Sequence, residues 1–315
     1  MQLEAGSSVR TRTLWEDAWN RFWKNKLAVI GGVVIILFFL IALVGPFLAP
    51  YDFREQDIGN QFQGPTANHW FGTDALGRDI YSRLIYGART AAIVAIVSTT
   101  ISLLIGIAVG AAAGYARGRA DELLMWLTDV VMSVPGLLLA MMINAAVKRP
   151  ILARLDEIYQ ATKNPFFLNT LWLDFALLFG ILALISWPGL ARLVRGQVLS
   201  IGRTTYVESA RAIGASPLRI LSRHVVPNAL GPLLVAVSAG MGGAIVAESA
   251  LSWIGIGIPP PNASWGIMLR DSLQLWRSYP HLLIAPSVAI GLMSVAFTFF
   301  GDGLNDALNP RLQQK

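Results

Sequence analysis

The stretch YVESARAIGASPLRILSRHVVPNAL (residues 206–230) carries Glu208, Arg211, Arg219, Arg223 and His224 around a central glycine and proline. The chain that surrounds it is 54% hydrophobic and only 14% charged. The stretch is too charged to span a bilayer and too regularly apolar for a loose loop. Thr205 and Glu208 have the spacing of a capping box, the threonine capping and the acid reaching back to its backbone N–H. Gly214 suits the left-handed turn that ends a helix. Ser216 and Pro217 then read as the N-cap and first-turn proline of a second helix. Leu218, Leu221 and Val225 give that helix an apolar stripe, and Pro227 ends it. The pattern predicts two short helices at an angle, docked by one narrow face. Such a shape is an interaction knob.

What lies on either side of it sets the fold class. About 20 apolar residues, at 1.5 Å each, cross a hydrocarbon core of ~30 Å. Residues 27–49 and 90–115 contain no charge, and 123–147 is interrupted only by Asp129. Residues 175–191 are shorter and contain Pro188; 229–258 hold one acid, Glu248; 282–301 hold none. The expectation is an all-α polytopic membrane protein with six spans. The first apolar run is too long for a signal peptide and no small-residue cleavage site follows it, so it reads as a retained span. Cysteine is absent, which removes disulfides and thiolate metal sites from consideration.

The net charge of +6 raises the possibility of a nucleic-acid partner. The placement of the basic residues argues against it. Arg10, Arg12, Arg21, Lys24 and Lys26 precede the first span, and Arg192, Arg195, Arg203, Arg211, Arg219 and Arg223 surround the knob. Six spans put both groups, and the C-terminus, on one side, together with 15 of the 25 basic residues. By the positive-inside rule that side is the cytoplasm. The domain reading is a cytoplasmic tail (1–26), a first span (27–49) and an extracytoplasmic segment (50–89). A core of five spans follows (90–305, with the loop 192–228), then a second cytoplasmic tail (306–315).

Within the second span Gly106, Gly110 and Gly114 recur every four residues, a spacing that lets two helix backbones approach closely in lipid. Residues 148–172 place Ile151, Leu152, Leu155, Ile158 and Tyr159 on one helical face, which predicts an outer amphipathic helix. Asp129 and Glu248 are the acids well inside spans. Each costs roughly 2.5–3.5 kcal/mol there if unpaired, so they are expected to pair between helices or to line a solute pathway. Chemistry is otherwise missing. No lysine follows a glycine, so there is no Walker A loop; the three histidines (His69, His224, His281) lack ligand spacing; no GxSxG occurs. Asn262-Ala-Ser264 matches the short glycosylation acceptor, a weak signal by itself. A membrane enzyme would need such a constellation. A passive channel would need none, and only ATP-independent flux would support it.

With the knob between its fourth and fifth spans, the chain resembles the permeases of ATP-binding cassette importers. Their EAA loop corresponds here to Glu208-Ser209-Ala210, Gly214 and Val226-Pro227, with serine for the central alanine. FGTDALGRDIYSRLIYGAR (71–89), ESALSWIGIGIPPPNASWGIML (248–269) and GDGLNDALNPRL (301–312) are similar to signatures of the dipeptide/oligopeptide permease family, C-type subunit. The resemblance covers nearly the whole chain except 148–172, where family members are usually shorter. It implies the type I importer permease fold, and a heterodimer with a second, homologous permease subunit in the bilayer. It also implies two ATP-binding subunits, which use ATP and Mg, and an extracytoplasmic solute-binding protein that delivers peptide. The EAA helices, with Glu208, Ser209, Ala210, Gly214, Ser216, Pro217 and Pro227, would couple ATP hydrolysis in those partners to alternating access here. The chain itself would be no enzyme and would bind no cofactor. Related permeases carry nickel, glutathione or other small solutes, which are the alternative cargoes.

Overall fold

Apolar runs of membrane length become helices of membrane length. The computed structural model describes residues 14–308. Arg10, Arg12 and residues 309–315, with the Asn-Pro-Arg-Leu that closes the third signature, lie outside the described residues. A short amphipathic helix α1 (Leu14–Lys24) precedes α2 (Lys26–Leu48), α3 (Ile80–Ala116), α4 (Gly118–Ser133) and α5 (Gly136–Thr162). There follow α6 (Leu171–Ile201), α7 (Thr205–Ala212), α8 (Pro217–Ile220), α9 (Val226–Ile254), α10 (Trp265–Ser272) and α11 (Pro280–Leu308). Six stretches are long and apolar enough to cross a membrane: α2, α3, α5, α6, α11 and α9 with the turn before it. The described residues form an all-helical bundle apart from one isolated β-bridge, Thr73 to Asp79.

Two expectations need correction. The run 123–147 is not one helix. Val134 is extended (φ −94°, ψ 127°) because the proline that follows disfavours the helical region, and the run splits into α4 and α5 there. Asp129 therefore sits in α4, outside the membrane-length helix. Residues 148–172 do not form a separate amphipathic helix either. α5 continues through Pro150 to Thr162 and ends at Lys163, whose left-handed backbone (φ 53°) closes the last turn. Leu155 is buried, but Ile158 on the same face is exposed.

α3 lies at the centre of the bundle. One core joins Ile35 and Phe38 of α2 to Ala88, Ala92 and Ala95 of α3, and to Met293 and Phe297 of α11. A second packs Val94 of α3 against Leu178, Ile181 and Leu182 of α6 and Leu251 of α9. The Gly106/Gly110/Gly114 face of α3 lies on α6. A Cβ built on Gly106 would stand 2.6 Å from Leu190 Cβ, and one on Gly114 2.8 Å from Val198 Cβ. On Gly110 it would collide with the carbonyl oxygen of Ala191. No larger residue fits that crossing without moving a helix.

The signature 71–89 builds a compact cover where α2 joins α3. The Asp74 carboxylate accepts from Arg78 Nε (2.7 Å) and Arg83 Nη1 (2.6 Å), and Asp79 caps α3 by accepting from Ser82 N–H (2.7 Å). His69 Nδ1 lies 3.0 Å from Asp79. The acids of this motif hold the segment together.

Candidate functional site

At the other end of the bundle, α6 gives way to α7 and α8. The N-cap of α7 is Thr204, one residue before the expected Thr205, and its hydroxyl donates to the Ile201 carbonyl (2.6 Å) rather than capping. The capping box is therefore not formed. Glu208 lies in the first turn, exposed, with no side-chain hydrogen bond among the described residues. The neighbouring Ser209 is exposed and donates to the Thr205 carbonyl (2.9 Å), whereas Ala210 is buried. The end of α7 follows the expected chemistry. Gly214 has φ +83°, its N–H donates to Arg211 O, and Ala215 N–H donates to Ala210 O (both 3.0 Å). These two bonds make a Schellman turn.

The second helix departs from its expected form. Ser216 stands at its N-cap position and Pro217 opens it, with Ile220 N–H donating to Ser216 O (3.0 Å). Pro227 does not end it. A π-turn over Leu221–Val225 joins α8 directly to α9, with Val226 N–H donating to Leu221 O. Pro227 explains the wide turn, since its ring would strike the carbonyl of Arg223 in a regular α-helix. The stripe is also displaced. Ile220 and Val225 are buried and Leu221 partly so, whereas the Leu218 side chain lies outside the described residues.

The inner face of this hairpin, Val207, Ile220 and Val225, packs against Val194 and Val198 of α6 and Ala229 and Leu233 of α9. α6 and α9 thus form the apolar seat of the hairpin. Its outer face is uncovered: Glu208, Ser209, Arg211, Ser216, Pro217, Arg219 and Arg223 are exposed. Ile213, at the tip, is 87% exposed. Sequence reasoning missed Ile213. The signal for it was an apolar residue directly before the turn glycine, outside the stripe on which the helix docks.

The two acids sit apart from the hairpin and from each other. Asp129 pairs with Arg192 of α6, both half-exposed, and Asp121 makes a two-pronged pair with Arg195 (2.6 Å for each prong). A third pair, Lys148 with Asp174 (2.6 Å), ties α5 to the start of α6. Glu248 in α9 is fully buried and accepts from Ser252 and Ser264 (2.7 Å each) and Ser249 (3.4 Å). Ser264 is also the N-cap of α10, so Glu248 fixes α10 on α9. Among the described residues no group of three or more acids, histidines or cysteines could hold a metal ion.

The hairpin thus turns a polar, exposed face outward and an apolar face onto two long membrane helices. Comparison with known proteins gives the family. Residues 102–314 match the binding-protein-dependent transport system inner membrane component family, and 13–65 match the N-terminal transmembrane domain of oligopeptide transport permease C. The chain belongs to the binding-protein-dependent permease family. It is 35% identical over 98% of its length to an oligopeptide transport system permease protein of Bacillus subtilis, covering 93% of that protein. It is 36% identical over 95% of its length to a dipeptide transport system permease protein of the same organism, covering 86% of it. A glutathione transport system permease protein of Pectobacterium atrosepticum is 36% identical over 96% of this chain and 93% of its own. Permeases of this family are transport components of importers powered by separate ATPases and fed by binding proteins. The hairpin, the glycine crossing and Glu248 all lie inside the 102–314 match.

Proposed function

We propose that this chain is one of two homologous permease subunits of an ATP-binding cassette importer that carries di- or oligopeptides. The observation that carries this reading is the α7–α8 hairpin, uncovered outside and joined without a break to α9. Two ATP-binding subunits bind the hairpins of the two permeases, one each. Closure of the ATPases on ATP moves α7 and α8, and the π-turn passes that movement into α9 and, through the apolar seat, into α6. The passage then opens outward to the solute-binding protein. Glu208, Ile213 and Ser216 face the ATPase, Gly214 shapes the turn between the two helices, and Pro217 and Pro227 set the ends of α8 and its π-turn. The N-terminus, the hairpin and the C-terminus lie in the cytoplasm of a cell-membrane protein.

Asp129 and Glu248 fit helix pairing better than a place on the solute pathway, because each is already engaged by protein partners. Glutathione is the second reading for the cargo, since a glutathione permease is as similar to this chain as the peptide permeases are. The test is to purify the complex with its binding protein, identify the bound ligand by mass spectrometry and measure its ATP-dependent uptake into proteoliposomes. Peptides of varied sequence are expected in the binding protein. Glutathione alone would move the assignment to the second reading.

A further inference from the structure

Halfway along three membrane helices, α3, α6 and α9 leave a cleft of about 240 Å³ between them. Four of the residues that line it are hydroxylic: Ser98, Thr99 and Ser102 of α3, and Ser186 of α6. No charged residue lines it, and Gly189 and Gly240 open its walls. Ser98 and Ser102 are buried and donate to Val94 O (2.6 Å) and Ser98 O (2.8 Å). Their protons are committed, so each oxygen can act only as an acceptor. Thr99 and Ser186 differ: neither hydroxyl has a hydrogen-bond partner among the described residues, and Thr99 is only 5% exposed while Ser186 is exposed.

An unpartnered hydroxyl at mid-membrane is costly against lipid, which offers it nothing. Its natural complement is a group that both donates and accepts. The cleft is smaller than the roughly 300–1,000 Å³ of complete small-ligand sites and is open on one side. That is the form of a half-site.

We infer that Ser98, Thr99, Ser102 and Ser186 form one wall of a mid-membrane passage that recognises backbone amides, the opposite wall coming from the second permease subunit. This rests on the proposed function and deepens it. Ser98 and Ser102 can only accept amide N–H groups, while the free hydroxyls of Thr99 and Ser186 can also donate to a carbonyl oxygen. With no charge in the wall, the ligand's side chains go unread, which suits a carrier of peptides of varied sequence.

The test uses proteoliposomes holding the complete complex, saturating binding protein loaded with an uncharged tripeptide, and ATP. One lost hydrogen bond is expected to lower the uptake rate about three- to tenfold in Thr99→Val. Thr99→Ser, which keeps the hydroxyl, should retain uptake, with co-purification of all subunits checked for each variant. The unmodified complex should move a backbone N-methylated tripeptide more slowly than its parent, and Ser98→Ala/Ser186→Ala should narrow that gap. Equal uptake by Thr99→Val and the unmodified complex would overturn the site, and so would equal loss in Thr99→Val and Thr99→Ser. Absence of uptake by the unmodified complex would instead overturn the permease reading, and this site with it.

Discussion

Gly110 and Glu208 illustrate what single residues decide here. The four-residue glycine spacing was legible in the sequence, but its partner was not, because nothing local says which helix a smooth face will meet. The structure places Gly110 against the backbone of α6. Gly110→Leu should lower the yield of assembled complex, measured by co-purification, since a bulky side chain cannot enter a backbone contact. Normal assembly would mean that the crossing is not needed. Glu208 shows the opposite case. Its spacing from Thr205 suggested a capping box, but the hydroxyl of Thr204 turns back to Ile201 and the helix starts one residue early. With no partner among the described residues, Glu208 contributes to α7 through the helix dipole, about 0.3–1 kcal/mol. Glu208→Ala should therefore leave assembly intact yet reduce uptake by roughly tenfold, through a lost charged contact with the ATPase. Unchanged uptake would leave the residue with the dipole role alone.

At the scale of elements, periodicity and length located the spans, and prolines decided where they deviate. Pro135 breaks a run that looks continuous, a break the proline itself signalled. Pro150 causes no such break: Lys148 beside it pairs with Asp174, and α5 runs on. Tertiary ion pairing of that kind has no local signature. Asp129, paired with Arg192 between α4 and α6, is a second such case. Because its pair with Arg192 is half-exposed, it contributes no more than about 1 kcal/mol. Asp129→Asn should keep uptake within about twofold of the unmodified complex in the same vesicles. A severe loss with the complex intact would return Asp129 to the solute pathway. The seat of the hairpin was only half legible: the Schellman turn followed from Gly214, whereas Ile220 became visible as a core residue only once α8 was seen to run into α9.

The whole molecule adds sidedness and coupling. Alternating helices put the α7–α8 hairpin and the 71–89 cover at opposite ends of the bundle, and the proposed orientation, which follows the positive-inside rule, has the hairpin end in the cytoplasm. The chain has no cysteine, so Ser216→Cys gives a single label site on it. In intact cells that cysteine should resist an impermeant thiol reagent and react only after the membrane is opened. Labelling in intact cells would invert the arrangement. The central claim is that the hairpin couples ATP hydrolysis to movement of α6 and α9. Gly214 tests it most directly, because a Cβ there meets nothing within 4 Å while φ is +83°. A β-branched residue thus alters only the turn, at roughly 1–2 kcal/mol of backbone strain. The decisive measurement is peptide uptake per ATP hydrolysed by the Gly214→Val complex in proteoliposomes, with co-purification confirming that all subunits are present. The account predicts that uptake falls severely while the subunits remain together. Full uptake at the normal ratio, in an intact complex, would contradict it.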